Sequence, residues 1–113
     1  IAPQDGEPNA AAMAKKLAAL RIFSDEEGKM NRSVRDVGGE VLLISQFTLY
    51  GDCSHGNRPS FIGAARPETA QPLYHRTAEL LAQQGVPVRL GVFGADMHIE
   101  QGNDGPVTII YEC

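Results

Sequence analysis

A short run of uninterrupted apolar residues restricts the possible folds of this chain more than any other feature. Residues 41–44 read Val-Leu-Leu-Ile. The run is short and partly β-branched, which predicts a β-strand covered on both faces. A chain of 113 residues has room for one compact domain around such a strand. We therefore expect a single domain over residues 1–113.

The first helix is predicted from residue 10 onward. Asn9 is a suitable N-cap, and Met13, Leu17 and Leu20 recur at spacings of four and three residues, as in an amphipathic helix. The two prolines and the glycine within residues 1–8 predict a loop before it.

A second helix is predicted after the loop at residues 51–67, which is rich in glycine, proline and polar residues. With Thr69 as its cap, Pro72 falls in the first turn, and Gly85 ends the helix. A start at Pro67 would place Pro72 inside the helix at a cost of about 3 kcal/mol, which makes it the poorer register. The predicted inward residues are Leu73, Thr77, Leu80 and Leu81.

Three further segments alternate with the period of a β-strand: residues 86–92, 97–99 and 107–111. Asn103-Asp104-Gly105-Pro106 predicts the turn between the last two. Two helices with four or five strands, and no internal repeat, indicate an α+β domain.

Charge and hydropathy restrict the partners. Ten Lys and Arg against fourteen Asp and Glu give a net charge of −4, which argues against binding nucleic acid over the whole surface, and no DNA binding is predicted. Residues 15–35 carry six basic and three acidic residues, either a local RNA-binding face or ordinary surface charge. No apolar run approaches the roughly 18 to 20 residues of a membrane span, so a soluble, cytoplasmic protein is expected.

The histidines and cysteines give no pattern of a metal or nucleophile site. His55, His75 and His98 lack metal-ligand spacing, and neither a metal nor a cofactor is predicted. Cys53 lies near His55, which allows a Cys/His nucleophile. An ordinary loop cysteine is favoured, because no neighbour in the sequence would activate the thiol.

Two segments carry polar groups or backbone features that suggest a site. Ser45-Gln46-Phe47-Thr48 follows the apolar strand directly and could offer hydroxyls, a carboxamide and backbone N–H groups to a ligand, or simply terminate the strand. In Asn103-Asp104-Gly105-Pro106-Val107-Thr108, the Gly-Pro bond could be held cis and glycine allows close approach to both carbonyls. A plain tight turn is the alternative.

Together these two segments resemble the paired signature of the D-aminoacyl-tRNA deacylases, also called D-tyrosyl-tRNA deacylases. Further strings resemble that family in the same order, from about residue 14 to residue 108. They are Leu20-Arg21-Ile22-Phe23, Gly28-Lys29-Met30-Asn31, Asp36-Val37-Gly38-Gly39, Arg58-Pro59-Ser60-Phe61 and Phe93-Gly94-Ala95-Asp96-Met97. Family members begin with a further strand pair carrying a Gln-Arg-Val segment, to which nothing in residues 1–113 corresponds.

The resemblance implies a homodimer with a mixed, curved, partly barrel-like β-sheet packed against two main helices. It implies a hydrolase of translation quality control that binds the 3′ acceptor end of aminoacyl-tRNA, without a metal or cofactor, and cleaves D-aminoacyl esters and mischarged glycyl-tRNA. A non-catalytic RNA-binding or scaffold protein that keeps the fold is the alternative.

The resemblance also assigns site residues. The implied catalytic residues are Ser45, Gln46, Phe47 and Thr48, and the implied substrate-binding residues are Met97, Asn103, Gly105, Pro106 and Thr108. In the family the Gly-Pro pair is cis and reaches across a dimer interface, where its carbonyl oxygens exclude an L side chain.

Overall fold

The structure is a computed structural model that describes all 113 residues. Its regular elements are two α-helices, one short 3-10 helix and four short strands. In order they are α1 (Glu7–Ala19), β1 (Phe23–Ser24), β2 (Met30–Arg32), β3 (Val41–Leu43), a 3-10 helix (Phe47–Tyr50), α2 (Pro67–Gln83) and β4 (Val88–Leu90). Strands β1 and β2 pair antiparallel, and β3 and β4 pair parallel. The α+β class is confirmed, but the strands form two separate two-stranded sheets rather than one barrel-like sheet. Neither helix is long and apolar enough to cross a membrane.

The core lies where α1 meets α2. Its fully buried cluster consists of Ala14, Ala18, Val34, Leu81 and Val86. Alanines at the contact let the two helix backbones approach closely, so the buried face of α1 is the alanine face. Met13, Leu17 and Leu20, the apolar positions of the predicted amphipathic helix, are half-buried, and Leu17 packs against this cluster.

Helix α1 begins three residues earlier than predicted. Gly6 is the N-cap, with extended backbone, and Pro8 lies in the first turn, where its missing N–H is not needed. Asn9 is not the cap. Its Oδ1 accepts a hydrogen bond from the Gly6 N–H at 3.0 Å, which fixes the helix start from within.

Helix α2 begins at Pro67, in the register that the sequence disfavours. Arg66 is the N-cap, and its carbonyl accepts hydrogen bonds from the Thr69 and Ala70 N–H groups. Pro72 therefore lies inside the helix, exposed and close to its start. This register buries four residues against the rest of the chain, a packing gain that offsets the proline cost. They are Ala70, Tyr74, Ala78 and Leu81.

Of the predicted inward residues of α2, only Leu81 is fully buried, and Leu73, Thr77 and Leu80 are half-buried. The predicted end of the helix is confirmed. Gly85 follows the last turn with φ of +83°, and its N–H donates to the Ala82 carbonyl.

The strand at residues 41–44 is confirmed for Val41–Leu43, where Leu43 pairs with Leu90 of β4. Its predicted cover on both faces is wrong, because the side chain of Leu42 is 59% exposed. Of the predicted strand at residues 86–92, only Val88–Leu90 forms.

The predicted strands at residues 97–99 and 107–111 are absent. No backbone N–H or carbonyl from residue 97 onward takes part in a backbone hydrogen bond, and a strand exists only where a neighbouring strand pairs with it. Residues 103–106 accordingly form a bend rather than a hydrogen-bonded hairpin turn.

Residues 25–29 connect β1 and β2 in a hairpin, which the sequence did not indicate. Asp25 organises it by accepting hydrogen bonds from Asn31 Nδ2 and from the Glu27 and Lys29 N–H groups. The Asn31 hydrogen bond is the largest cause that lowers the pKa of Asp25.

Candidate functional site

The carboxyl end of β3 is held by contacts from β4 and α2. The Leu43 carbonyl accepts hydrogen bonds from the Gly91 N–H at 3.1 Å and from the Tyr74 hydroxyl at 2.8 Å. The same hydroxyl lies 3.4 Å from the Gly91 carbonyl, and burial raises the pKa of Tyr74. The residues that follow β3 therefore start from a fixed point.

The backbone N–H groups of Ser45, Gln46, Phe47 and Thr48 are all free after this point, and the last two lie at the start of the 3-10 helix. The Leu49 N–H donates to the Gln46 carbonyl at 3.3 Å, and the Gly51 N–H donates to the Thr48 carbonyl at 2.9 Å. The N–H groups of Phe47 and Thr48 have no acceptor in the chain. Orphan N–H groups are characteristic of the first helical turn, where no preceding carbonyl is in reach. An oxygen carrying negative charge is a suitable acceptor for them.

The side chains of the same segment provide no general base. The Thr48 hydroxyl accepts a hydrogen bond from the Gln46 side-chain amide, and no histidine or carboxylate bonds to it. Ser45 is half-buried between β3 and the 3-10 helix. The arrangement can bind and orient a polar group, but the chain does not supply a proton acceptor that would activate the Thr48 hydroxyl.

The loop after the 3-10 helix folds back onto it. Asp52 and Ser60 exchange backbone hydrogen bonds of 2.8 and 2.9 Å, which returns the Phe61 ring to 5.0 Å from the Phe47 ring in an edge-to-face pair. A Cβ at Gly51 would lie 3.1 Å from Phe61 Cε1. A residue without a side chain therefore suits this close approach.

The loop histidine does not activate the loop cysteine. His55 Nδ1 lies 2.8 Å from the Ser54 hydroxyl, and Cys53 is a free, exposed thiol. No group of three or more His, Cys, Asp or Glu side chains is close enough to hold a metal ion.

An open cleft of about 650 Å³ lies beside the aromatic pair. It is lined by Pro3, Phe61, Ile62, Ala64, Arg66 and Thr69, and we refer to it as the Phe61 cleft. The sequence did not predict it. The string Arg58-Pro59-Ser60-Phe61 resembles the family but does not predict a cleft, because the cleft forms only where the loop meets α2.

Met97 lies next to the catalytic segment predicted from the sequence. Its Sδ accepts a hydrogen bond from the Val92 N–H at 3.4 Å. A Cβ at Gly91 would lie 3.1 Å from Met97 Sδ and 3.5 Å from Ile44 Cγ1. Met97 and Ile44, which precedes Ser45 directly, therefore pack around the same glycine.

The other predicted binding residues make no hydrogen bond to residues 45–48 within one chain. Asn103, Gly105, Pro106 and Thr108 are all exposed. The Asn103 side chain accepts a hydrogen bond from Gln101 Nε2 at 2.8 Å, and no hydrogen bond joins residues 103–108 to residues 45–48.

The Gly105–Pro106 peptide is trans, because the chain contains no cis peptide bond. The cis bond implied by the family resemblance is therefore not present here. No backbone hydrogen bond holds this segment, and trans is the lower-energy form without such constraint.

The predicted basic face is partly neutralised. In residues 15–35, Lys29 pairs with Glu27 at 3.0 Å, Arg32 with Glu26 at 3.6 Å, and Arg35 Nη1 donates to the Gln84 carbonyl at 3.4 Å. In the loop, Arg58 and Arg66 form no salt bridge. Arg58 and Arg66, the arginines nearest to Phe61 in the sequence, therefore carry positive charge without an acidic partner.

A family model and curated relatives agree on one family. The family model described as D-Tyr-tRNA(Tyr) deacylase matches residues 1–112. The D-aminoacyl-tRNA deacylase of Chlorobaculum parvum is 57% identical over 113 residues, covering 99% of this chain and 76% of the relative. That of Deinococcus radiodurans is 59% identical over 109 residues, covering 96% and 75%. A solved structure of a protein named c-Myc DNA Unwinding Element Binding Protein superposes with a TM-score of 0.84 at 38% identity, covering 96% of this chain and 74% of that one.

Proposed function

The chain belongs to the D-Tyr-tRNA(Tyr) deacylase family, and from this we propose that it hydrolyses the ester bond of D-aminoacyl-tRNA, releasing free D-amino acid and tRNA. One observation of the structure carries the proposal: the free N–H groups of Phe47 and Thr48. Ester hydrolysis develops negative charge on the carbonyl oxygen, and pairs of backbone N–H groups are a common way to stabilise it.

In the proposed mechanism, the aminoacyl ester lies along residues 45–48. A water molecule attacks the carbonyl carbon, assisted by the free ribose hydroxyl of the terminal adenosine, and the Phe47 and Thr48 N–H groups donate to the developing oxyanion. Each donor of this kind contributes about 3 kcal/mol in enzymes generally. The bond to the ribose oxygen then breaks, and that oxygen takes up the proton that the attacking water gives up. Water is favoured over Thr48 as the nucleophile because the hydroxyl contacts only the Gln46 amide.

The remaining residues of the segment have positioning roles in this proposal. Ser45 and Gln46 flank the ester, with Gln46 fixing the Thr48 hydroxyl. Met97, packed beside the residue that precedes Ser45, contacts the substrate. Positioning carries much of the rate for an ester that is already activated.

For handedness, we propose that the Gly105-Pro106 main chain excludes L side chains, with Asn103 and Thr108 holding it. A second copy of the chain brings it to the site, which makes the active form a homodimer. Two observations support this. Residues 103–108 have no hydrogen bond to residues 45–48 of their own chain, and the surrounding apolar residues lack cover. Exposed among them are Ile99, Val107, Ile109 and Ile110.

The proposal extends to location and domain organisation. We propose that residues 1–113 belong to one deacylase domain, and the match of the family model to residues 1–112 supports this. The protein acts in the cytoplasm, where aminoacyl-tRNA is used. DNA binding, which the superposed protein carries in its name, is not proposed here, because a net charge of −4 does not favour phosphate binding over a broad surface.

The direct test is to follow D-tyrosyl-tRNA and L-tyrosyl-tRNA in parallel. We expect the purified protein to release D-tyrosine while L-tyrosyl-tRNA decays at its uncatalysed rate. A non-catalytic RNA-binding protein would retain both charged tRNAs and hydrolyse neither. That outcome would replace the enzyme by the alternative function.

A further inference from the structure

The Phe61 cleft extends the proposed ester site toward the rest of the RNA. We infer that it binds the single-stranded nucleotides that directly precede the terminal adenosine of the tRNA. This inference rests on the proposed function, because the terminal adenosine is placed at residues 45–48. It adds a second RNA subsite with its own residues, none of which takes part in the chemistry.

Continuity with the ester site is the first argument. The Phe61 ring lines the cleft and also packs edge-to-face on Phe47 at 5.0 Å. One side chain of the cleft, Phe61, is therefore in contact with the first residue of the 3-10 helix that carries the free N–H groups. A polynucleotide whose last residue occupies that segment has the cleft next to it.

The chemistry of the lining is the second argument. Ile62 is 89% exposed and, with Phe61, Ala64 and Pro3, forms the apolar part of the cleft lining. Unpaired bases stack on such surfaces, and aromatic residues are the most frequent partners.

Charge complementarity is the third argument. Arg66 lines the cleft and has no acidic partner, and Thr69 lines it as well. A guanidinium and a hydroxyl in the lining of an apolar cleft suit a phosphate next to a base. The chain as a whole is acidic, so this attraction is local.

Arg66→Gln tests the charge of the cleft, and Ile62→Ser tests its apolar surface. Arg66 forms no salt bridge and Ile62 is exposed, so both variants should fold. The matched control is Arg89→Gln, which removes the same charge from an exposed arginine of β4. Arg89 pairs with Glu40, which directly precedes β3, and it does not line the Phe61 cleft. Each protein is assayed on D-tyrosyl-tRNA and on D-tyrosyl-adenosine, which has the ester but no preceding nucleotide.

We expect Arg66→Gln and Ile62→Ser to raise KM for D-tyrosyl-tRNA about tenfold with kcat nearly unchanged, and to leave hydrolysis of D-tyrosyl-adenosine at the wild-type level. The dependence of tRNA affinity on salt should weaken by about one phosphate contact in Arg66→Gln. Arg89→Gln should match the wild type on both substrates.

Equal losses on both substrates, or no loss on either, would overturn the inference. Binding of uncharged tRNA by the same three variants separates this inference from the proposed function, since it needs no catalysis. If the wild type hydrolyses neither ester, the proposed function fails. Weaker tRNA binding by Arg66→Gln than by Arg89→Gln would still support the cleft, and equal binding would contradict it.

Discussion

Phe47→Pro should lower kcat for D-aminoacyl-tRNA by about 10² to 10³-fold, the usual effect of removing one oxyanion donor. Proline has no N–H, so the substitution deletes one of the two free donors at the start of the 3-10 helix. Single-turnover hydrolysis of D-tyrosyl-tRNA measures the effect on the chemical step.

The local backbone accepts this change. Phe47 is the first residue of the 3-10 helix, a position that suits the fixed φ of proline. Gln46 before it has φ of −142° and ψ of 87°, outside the helical range that a following proline disfavours. Folding should therefore be retained, which circular dichroism can check.

Phe47→Ala is the matched control, because it removes the ring and its contact with Phe61 but keeps the N–H. The difference between the two variants isolates the donor. Thr48→Ala also keeps the backbone and should retain substantial activity. If Phe47→Pro and Phe47→Ala were equally active, or if Thr48→Ala folded and bound substrate but lost nearly all activity, the water mechanism at backbone donors would be wrong.

Gly105→Ala should reduce kcat/KM for D-aminoacyl-tRNA about tenfold or more. Gly105 has φ of +115°, a conformation that a residue with a side chain rarely adopts, so an alanine there shifts the local main chain. The shift displaces the Gly-Pro carbonyls that we propose face the chiral centre. Steady-state kinetics on D-tyrosyl-tRNA measure the loss.

Gly102→Ala is the control for this substitution. Gly102 lies in the same segment, has no positive φ, and a Cβ there would meet no atom within 4 Å. Residues from 97 onward make no backbone hydrogen bonds, so neither variant should change the melting temperature of the monomer much. Unchanged kinetics in Gly105→Ala would argue strongly that this main chain does not contact the substrate.

Local sequence signals predicted correctly that there are two helices, but not the residues at which they begin. The end of α2 at Gly85 follows from one residue's conformation. The start at Pro67 depends on how α2 packs against α1, which no local propensity contains. Strands at residues 97–99 and 107–111 failed for a related reason: alternation describes a strand's faces but does not provide its partner.

The site was predicted in part. The position of Ser45-Gln46-Phe47-Thr48 after a strand follows from the apolar run before it. The free N–H groups depend on a 3-10 helix that the sequence did not indicate. The Phe61 cleft depends on the return of a long loop through the Asp52–Ser60 pairing. The state of the Gly105–Pro106 bond is set by whatever packs on it, and it is trans here.

The central claim is that a piece of main chain, and not a side-chain pocket, selects the hand of the amino acid. Three tRNA substrates test it, in which the methyl group on the α-carbon is absent, in the D configuration or in the L configuration. Purified protein is given glycyl-tRNA, D-alanyl-tRNA and L-alanyl-tRNA at equal concentration, and ester hydrolysis is followed over time. We expect the glycyl and D-alanyl esters to be cleaved and the L-alanyl ester to persist, since only the L methyl group meets the Gly-Pro carbonyls. Cleavage of the L-alanyl ester at a similar rate, or survival of the glycyl ester while the D-alanyl ester is cleaved, would contradict it.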